Sequence, residues 1–158
     1  MNRFYLSCSA VLAGFAALLC AVVGAAAEPA MNAPPAHHAI TPLKDVPFAQ
    51  DEDVKCLQSA LETGNPDTGP STFILKAPAG CRVPAHFHSA QEQLIVIRGR
   101  VATGMKGTPS VTLTAGGFAV MPGKAIHWFS CDGKEPCLMV VSFDQKYDIV
   151  WVDAHSKP

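Results

Sequence analysis

Apolar and polar residues alternate over short stretches along most of this chain, and turn residues separate the stretches. A period of two marks a half-buried strand, whereas a helix face repeats near 3.6. Residues 72–77, rich in Thr, Phe, Ile and Leu, read as a strand, and 92–98 as the strongest strand of the chain. In the latter, Glu92, Leu94 and Val96 share one face while Ile95 and Ile97 share the other. Both faces are apolar, which predicts a strand lying between two layers. Further strands are predicted at 101–105, 111–114, 118–121, 125–130, 138–143 and 147–152. Residues 54–61 read as a strand in preference to a short amphipathic turn, and 46–49 as an edge segment entering the fold. Gly- and Pro-rich turns fall between them, at 64–70, 78–80, 99–100, 106–109, 116–117 and 122–124. Many short strands at close spacing, without a sequence repeat, predict an all-β sandwich or small barrel.

The N-terminal stretch follows a different logic. Arg3 precedes an apolar run over about 6–23, and Ala25-Ala26-Ala27 offers the small residues a signal peptidase reads. Residues 1–27 therefore read as a signal peptide cleaved before Glu28. An uncleaved anchor is the competing reading, disfavoured by the many Ala and Gly in the run. Lipid attachment at Cys20 is disfavoured by Leu19, which stands where a small residue is expected. Residues 28–45, Ala, Pro and polar with His37-His38, read as a flexible linker. Residues 46–158 remain as one domain, and the 158-residue chain is long enough to give it a core. A net charge of −1 and the lack of any Lys/Arg run leave no footprint for nucleic acid. No membrane contact is expected after leader cleavage, so the expected location is periplasmic or secreted.

The candidate chemistry lies between Gly80 and Gly99. His86 and His88 are one residue apart, so an extended strand aims both imidazoles into one space, and Glu92 has the parity to join them. His127, just after the Pro122-Gly123-Lys124 turn, is a fourth candidate if the sheet folds back. A core histidine satisfied by the backbone is the other reading of His127. Neutral nitrogens with a carboxylate oxygen suit a divalent first-row transition metal. Leu94, Val96 and Phe129, with Met105 or Met121, are expected to line an apolar interior. Gln91 and Gln93 lie near enough in sequence to orient a ligand, although Gln93 faces away if the strand is regular. Lys76 and Arg82 are candidates to meet an anionic substrate at the rim.

The spacing Gly80-x5-His86-x-His88-x3-Glu92-x6-Gly99 resembles the first motif of the cupin superfamily at every defined position. Gly116-x5-Pro122-x-Lys124-x2-His127 resembles the second, with two departures: Lys124 replaces the usual glycine and Cys131 the usual asparagine. The likeness covers about residues 54–152. The 64–70 loop, the 116–122 stretch and the 147–153 tail also resemble a subgroup of small, often exported single-domain cupins without a settled activity. The resemblance implies a jelly-roll β-barrel with a metal in its mouth, held by His86, His88, Glu92 and His127. It implies one divalent ion among Fe, Mn, Ni, Cu, Co and Zn, a small-molecule ligand, and a homodimer as one possible assembly.

Without the leader, Cys56, Cys81, Cys131 and Cys137 remain, an even number that in an exported domain predicts two disulfides. Cys131–Cys137 is preferred because the polar tip between them sets two chains side by side; Cys56–Cys81 follows by elimination. A redox or zinc role for these thiols lacks the C-x-x-C spacing it requires. Two functions remain open at this point. One is a metal-dependent enzyme, dioxygenase-like or non-oxidative, acting on a small organic molecule. The other is a non-catalytic metal or small-ligand binding protein. The sequence names no general base or substrate anchor beyond the ligands.

Overall fold

The computed structural model describes residues 39–152. The predicted leader, most of the predicted linker with His37-His38, and the last six residues lie outside the described residues. The alternating stretches form β1 (Ala49–Gln50), β2 (Gln58–Gly64), β3 (Ser71–Ala77), β4 (Arg82–Phe87), β5 (Glu92–Arg98), β6 (Val101–Met105), β7 (Val111–Leu113), β8 (Phe118–Met121), β9 (His127–Cys131), β10 (Cys137–Phe143) and β11 (Val150–Trp151). Two antiparallel sheets result, ordered β1-β2-β3-β10-β5-β8 and β11-β4-β9-β6-β7. The expectation of an all-β fold of jelly-roll type holds.

Alternation places the core between the sheets. Leu94 and Val96 of β5, Val101 of β6 and Met139 of β10 meet there with 0% exposure. Each such side chain contributes about 1.5–3 kcal/mol by leaving water. Gly99 turns β5 into β6 at a φ of 91°, and a Cβ there would lie 2.8 Å from Cys137 Cα, so the position admits only glycine. Both disulfides are present, Cys56–Cys81 and Cys131–Cys137. The second closes a connection between sheets, since β9 and β10 do not pair with each other.

Four expectations need correction. β5 is covered on one face only: Ile95 and Ile97 remain 44% and 47% exposed. The register sets Ile95 between Val140 of β10 and Phe118 of β8, so an apolar row stands where a second layer was expected. Residues 54–57 are not a strand. Asp51 Oδ1 accepts the Asp53 and Val54 N–H groups, Leu57 N–H returns to the Val54 carbonyl, and the resulting strap buries Val54 and Leu57. At the chain's start the pairing begins at β1, beyond a 3₁₀ turn at Leu43–Asp45, and not at residue 46. Only Val150–Trp151 of the predicted last strand pairs, against β4, because the Tyr147 N–H bonds the Pro66 carbonyl instead of a neighbouring strand.

Candidate metal centre

β4 and β9 are antiparallel neighbours whose register sets His86 opposite His127. Glu92 opens β5 on the facing sheet, and His88 lies one residue beyond the end of β4. All four are buried, at 2–4% exposure. One ligand atom from each falls within 4.8 Å of the others. The jelly roll thus gathers residues of both sheets and one loop at a single point.

The three rings are oriented by one device. His86 Nδ1 donates to the Pro84 carbonyl at 2.7 Å, His127 Nδ1 to the Ala125 carbonyl at 2.8 Å, and His88 Nδ1 to the Asp148 carbonyl. A carbonyl only accepts, so each Nδ1 carries a proton and each ring turns its Nε2 inward. Glu92 Oε2 lies 3.0 Å from His127 Nε2 and 3.1 Å from His88 Nε2. Among the described residues, His86 Nε2 makes no hydrogen bond. With neutral rings, four acceptors converge with no donor between them, an arrangement that a proton or a cation must relieve. The donor set fits a divalent first-row metal ion.

The loop carrying His88 is held from the far end of the chain. Asp148 accepts the Ser89 N–H at 2.7 Å and the Ser89 hydroxyl at 2.6 Å, bonds that hold its carboxyl below the usual range. Asp144 Oδ1 accepts the Gln91 N–H at 2.9 Å. Gln91 and Gln93, the sequence candidates for orienting a ligand, bond none of the rings. On the other side, Lys124 N–H donates to the His88 carbonyl at 2.7 Å from a left-handed φ of 67°. This is the position where the family motif has glycine. Left-handed backbone costs a non-glycine residue roughly 1–2 kcal/mol, partly offset because glycine loosens the unfolded chain by about 0.4–1 kcal/mol. Lys124→Gly is therefore expected to stabilise the protein by about 0.5–1 kcal/mol in urea unfolding. Unchanged or lowered stability would show that Lys124 is not strained.

Burial pushes the Glu92 carboxyl up, but hydrogen bonds from His127 and His88 more than reverse this and hold it at about 2. Burial lowers His86 to about 4, so that ring is neutral at pH 7. Burial also lowers His127, yet the bond to Glu92 and its charge outweigh this and raise its pKa above 6.5. For metal-free protein, His86 makes stability fall as pH drops from 6.5 towards 4, because the unfolded chain takes up the proton first. The His127 contribution runs the other way, present below 6.5 and lost as pH rises through its folded pKa. The same proton on His127 competes with a metal. Apparent metal affinity should fall about tenfold per pH unit on acidification below that pKa, one proton being displaced per ion. A chelator competition titration measures this slope, and a flat profile below pH 6.5 would contradict it.

The cluster sits at one end of a cavity of about 370 Å³, into which His86, His88 and Glu92 reach. Phe73, Phe129, Val141, Phe143 and Tyr147 form much of its wall, and the strap with Asp51, Glu52 and Asp53 crosses its mouth. Phe129 is where the sequence placed it. Leu94 and Val96 belong instead to the sealed core, and Met105 and Met121 do not reach the cavity. Lys76 and Arg82 do not line it either; the Lys76 ammonium lies 3.5 Å from the Phe48 ring centroid. Sequence reasoning missed Tyr147, Asp148 and the acidic strap. Only the aromatic and acidic residues of the 147–153 tail hinted at the first two.

Residues 73–143 match the family model described as a cupin domain, which supports the cupin likeness of the sequence. Its buried His-His-Glu-His group can hold a metal ion. Comparison with curated protein sequences gives no significant match. Among solved structures, the polyketide cyclase RemF from Streptomyces resistomycificus is similar at 15% identity and a TM-score of 0.65, over 77% of this chain and 90% of its own. The DMSP lyase DddQ from Ruegeria pomeroyi is similar at 18% identity and a TM-score of 0.57, over 65% of this chain and 55% of its own. An oxalate oxidase is similar at 28% identity and a TM-score of 0.50, over 57% of this chain and 51% of its own. The chain thus spans about half the length of the lyase and oxidase structures that it resembles.

Proposed function

We propose that this chain is an exported, metal-dependent cupin enzyme, dioxygenase-like, acting on a small organic molecule. The observation that carries the reading is the set of four inward-facing acceptors at the end of an apolar cavity. His86, His88, Glu92 and His127 would hold the ion, and the carbonyls of Pro84, Ala125 and Asp148 keep the imidazoles pointed at it. A divalent ion bound there supplies Lewis acidity, or redox chemistry if it is Fe, Mn or Cu. The cavity wall excludes water around a substrate, and Phe143 and Tyr147, their rings 4.9 and 5.5 Å from that of His88, set its orientation near the cluster. The likeness to an oxalate oxidase supports oxidative chemistry. Two disulfides in a domain of this size support export to an oxidising compartment.

One observation favours a second reading, a non-catalytic carrier or sensor. Among the described residues, the acidic strap and Tyr147 are the ionisable groups besides the cluster that line the cavity. Burial and the neighbouring Asp53 push the Tyr147 phenol further above its usual range, so it stays protonated and leaves the strap carboxylates as the bases outside the cluster. Oxygen uptake separates the two readings. Protein reconstituted with each candidate metal is given catechols, flavonols and thiols. Consumption that tracks metal content supports the enzyme, whereas tight stoichiometric metal without uptake leaves the carrier.

A further inference from the structure

The mouth of the cavity has a chemistry of its own. Tyr147 and Phe143 lie with ring centroids 5.0 Å apart, and Phe73 lies 6.2 Å from Tyr147 and 6.3 Å from Phe143. These rings stand between His88 and the strap. Tyr147 donates its hydroxyl to Asp53 Oδ2 at 3.0 Å, which joins the aromatic wall to the acidic rim. Among the described residues, neither Asp51, Glu52 nor Asp53 forms an ion pair, and no Lys or Arg lines the cavity. The neighbouring Lys55 donates its ammonium to the Glu52 carbonyl at 2.7 Å and forms no ion pair with the carboxylates. At the floor, the buried His86 presents a ring nitrogen with no hydrogen-bond partner.

We infer that the cavity takes an organic cation, with its ammonium group held by the rings and carboxylates of the mouth and an oxygen-bearing end facing the four-residue cluster. This rests on the reading of the cluster as a metal site and adds the class of substrate to it. Aromatic faces attract a desolvated cation, and carboxylates without an ion-pair partner beside them add a field of the same sense. An anionic group would be drawn to the metal at the floor but would meet repulsion in passing the mouth, and among the described residues no Lys or Arg lines the walls. A neutral molecule would bury the same surface without either electrostatic gain.

The test compares choline with 3,3-dimethylbutan-1-ol, which has the same shape and hydroxyl but no charge. Both are titrated by calorimetry into the full-length protein, zinc-loaded and metal-free. Choline should bind about tenfold more tightly than the alcohol at low salt, with an advantage that shrinks as sodium chloride is added. The combined Asp51→Asn, Glu52→Gln and Asp53→Asn variant keeps the hydrogen-bond acceptors and should lose the advantage. Should that variant fail to fold, Tyr147→Leu removes a ring and no formal charge, and should weaken choline more than the alcohol. Equal affinities, no choline binding, or an advantage untouched by these changes would overturn the inference. Zinc that fails to bind while the choline preference persists would refute the metal reading alone. Stoichiometric zinc without a choline preference would refute only the inference.

Discussion

Protein in which His86 and His88 are both changed to alanine should come off purification without stoichiometric metal, while its far-UV circular dichroism stays that of the parent. The two rings supply half of the convergent acceptors, and the remaining pair, Glu92 and His127, leaves an ion only two ligand atoms, 3.0 Å apart. Metal affinity should drop by more than about a hundredfold, since loss of an orienting partner alone costs about 10- to 100-fold. The stability that metal confers goes with it. At a free metal concentration a hundred times the dissociation constant, that stability is about 2.7 kcal/mol. The parent should therefore gain thermal stability on adding metal, and the variant should not. Elemental analysis of both proteins, produced in an oxidising compartment, measures the outcome. Retained stoichiometric metal in the double variant would sink the assignment of the site.

How far the site was legible follows from the physics of each segment. His86, His88 and Glu92 could be grouped because strand parity is local: a period of two holds whichever sheet the strand joins. His127 was a weaker inference, since its position opposite His86 depends on the register between β4 and β9, and no single segment encodes a register. The start of the predicted 54–61 strand was misread because Val54 and Cys56 alternate as they would in a strand. What decides is the Asp51 carboxylate, which takes two backbone N–H groups that a strand would need for its ladder. The tail misled in a similar way. Residues 147–152 are aromatic and β-branched, but the Asp148 carbonyl is taken by His88 and the Tyr147 N–H by Pro66, so pairing starts only at Val150. Lys76 and Arg82 were placed at the rim on charge alone. The acidic strap that crosses the mouth has no periodicity to betray it, and only the fold reveals that it faces the cavity.

Breaking the Cys56–Cys81 disulfide, as Cys56→Ser with Cys81→Ser, should cost more than breaking Cys131–Cys137. The first bond closes a loop with a sequence separation of 25, the second one of only 6. Loop-closure entropy assigns them about 3.5 and about 2.2 kcal/mol. The difference in function should be larger than the difference in stability. Cys56 belongs to the strap that crosses the cavity mouth, and Cys81 lies immediately before β4, the strand that carries His86. Without the bond, the strap keeps its burial of Val54 and Leu57 and the Tyr147–Asp53 hydrogen bond, but nothing covalent ties it to β4. The first pair of substitutions should therefore lower the urea midpoint and also open the cavity, read as faster hydrogen exchange in residues 51–57. The second should lower the midpoint less and leave exchange in the strap unchanged. Equal losses of stability with no change in strap exchange would show that the bond at residue 56 secures the fold without shaping the cavity.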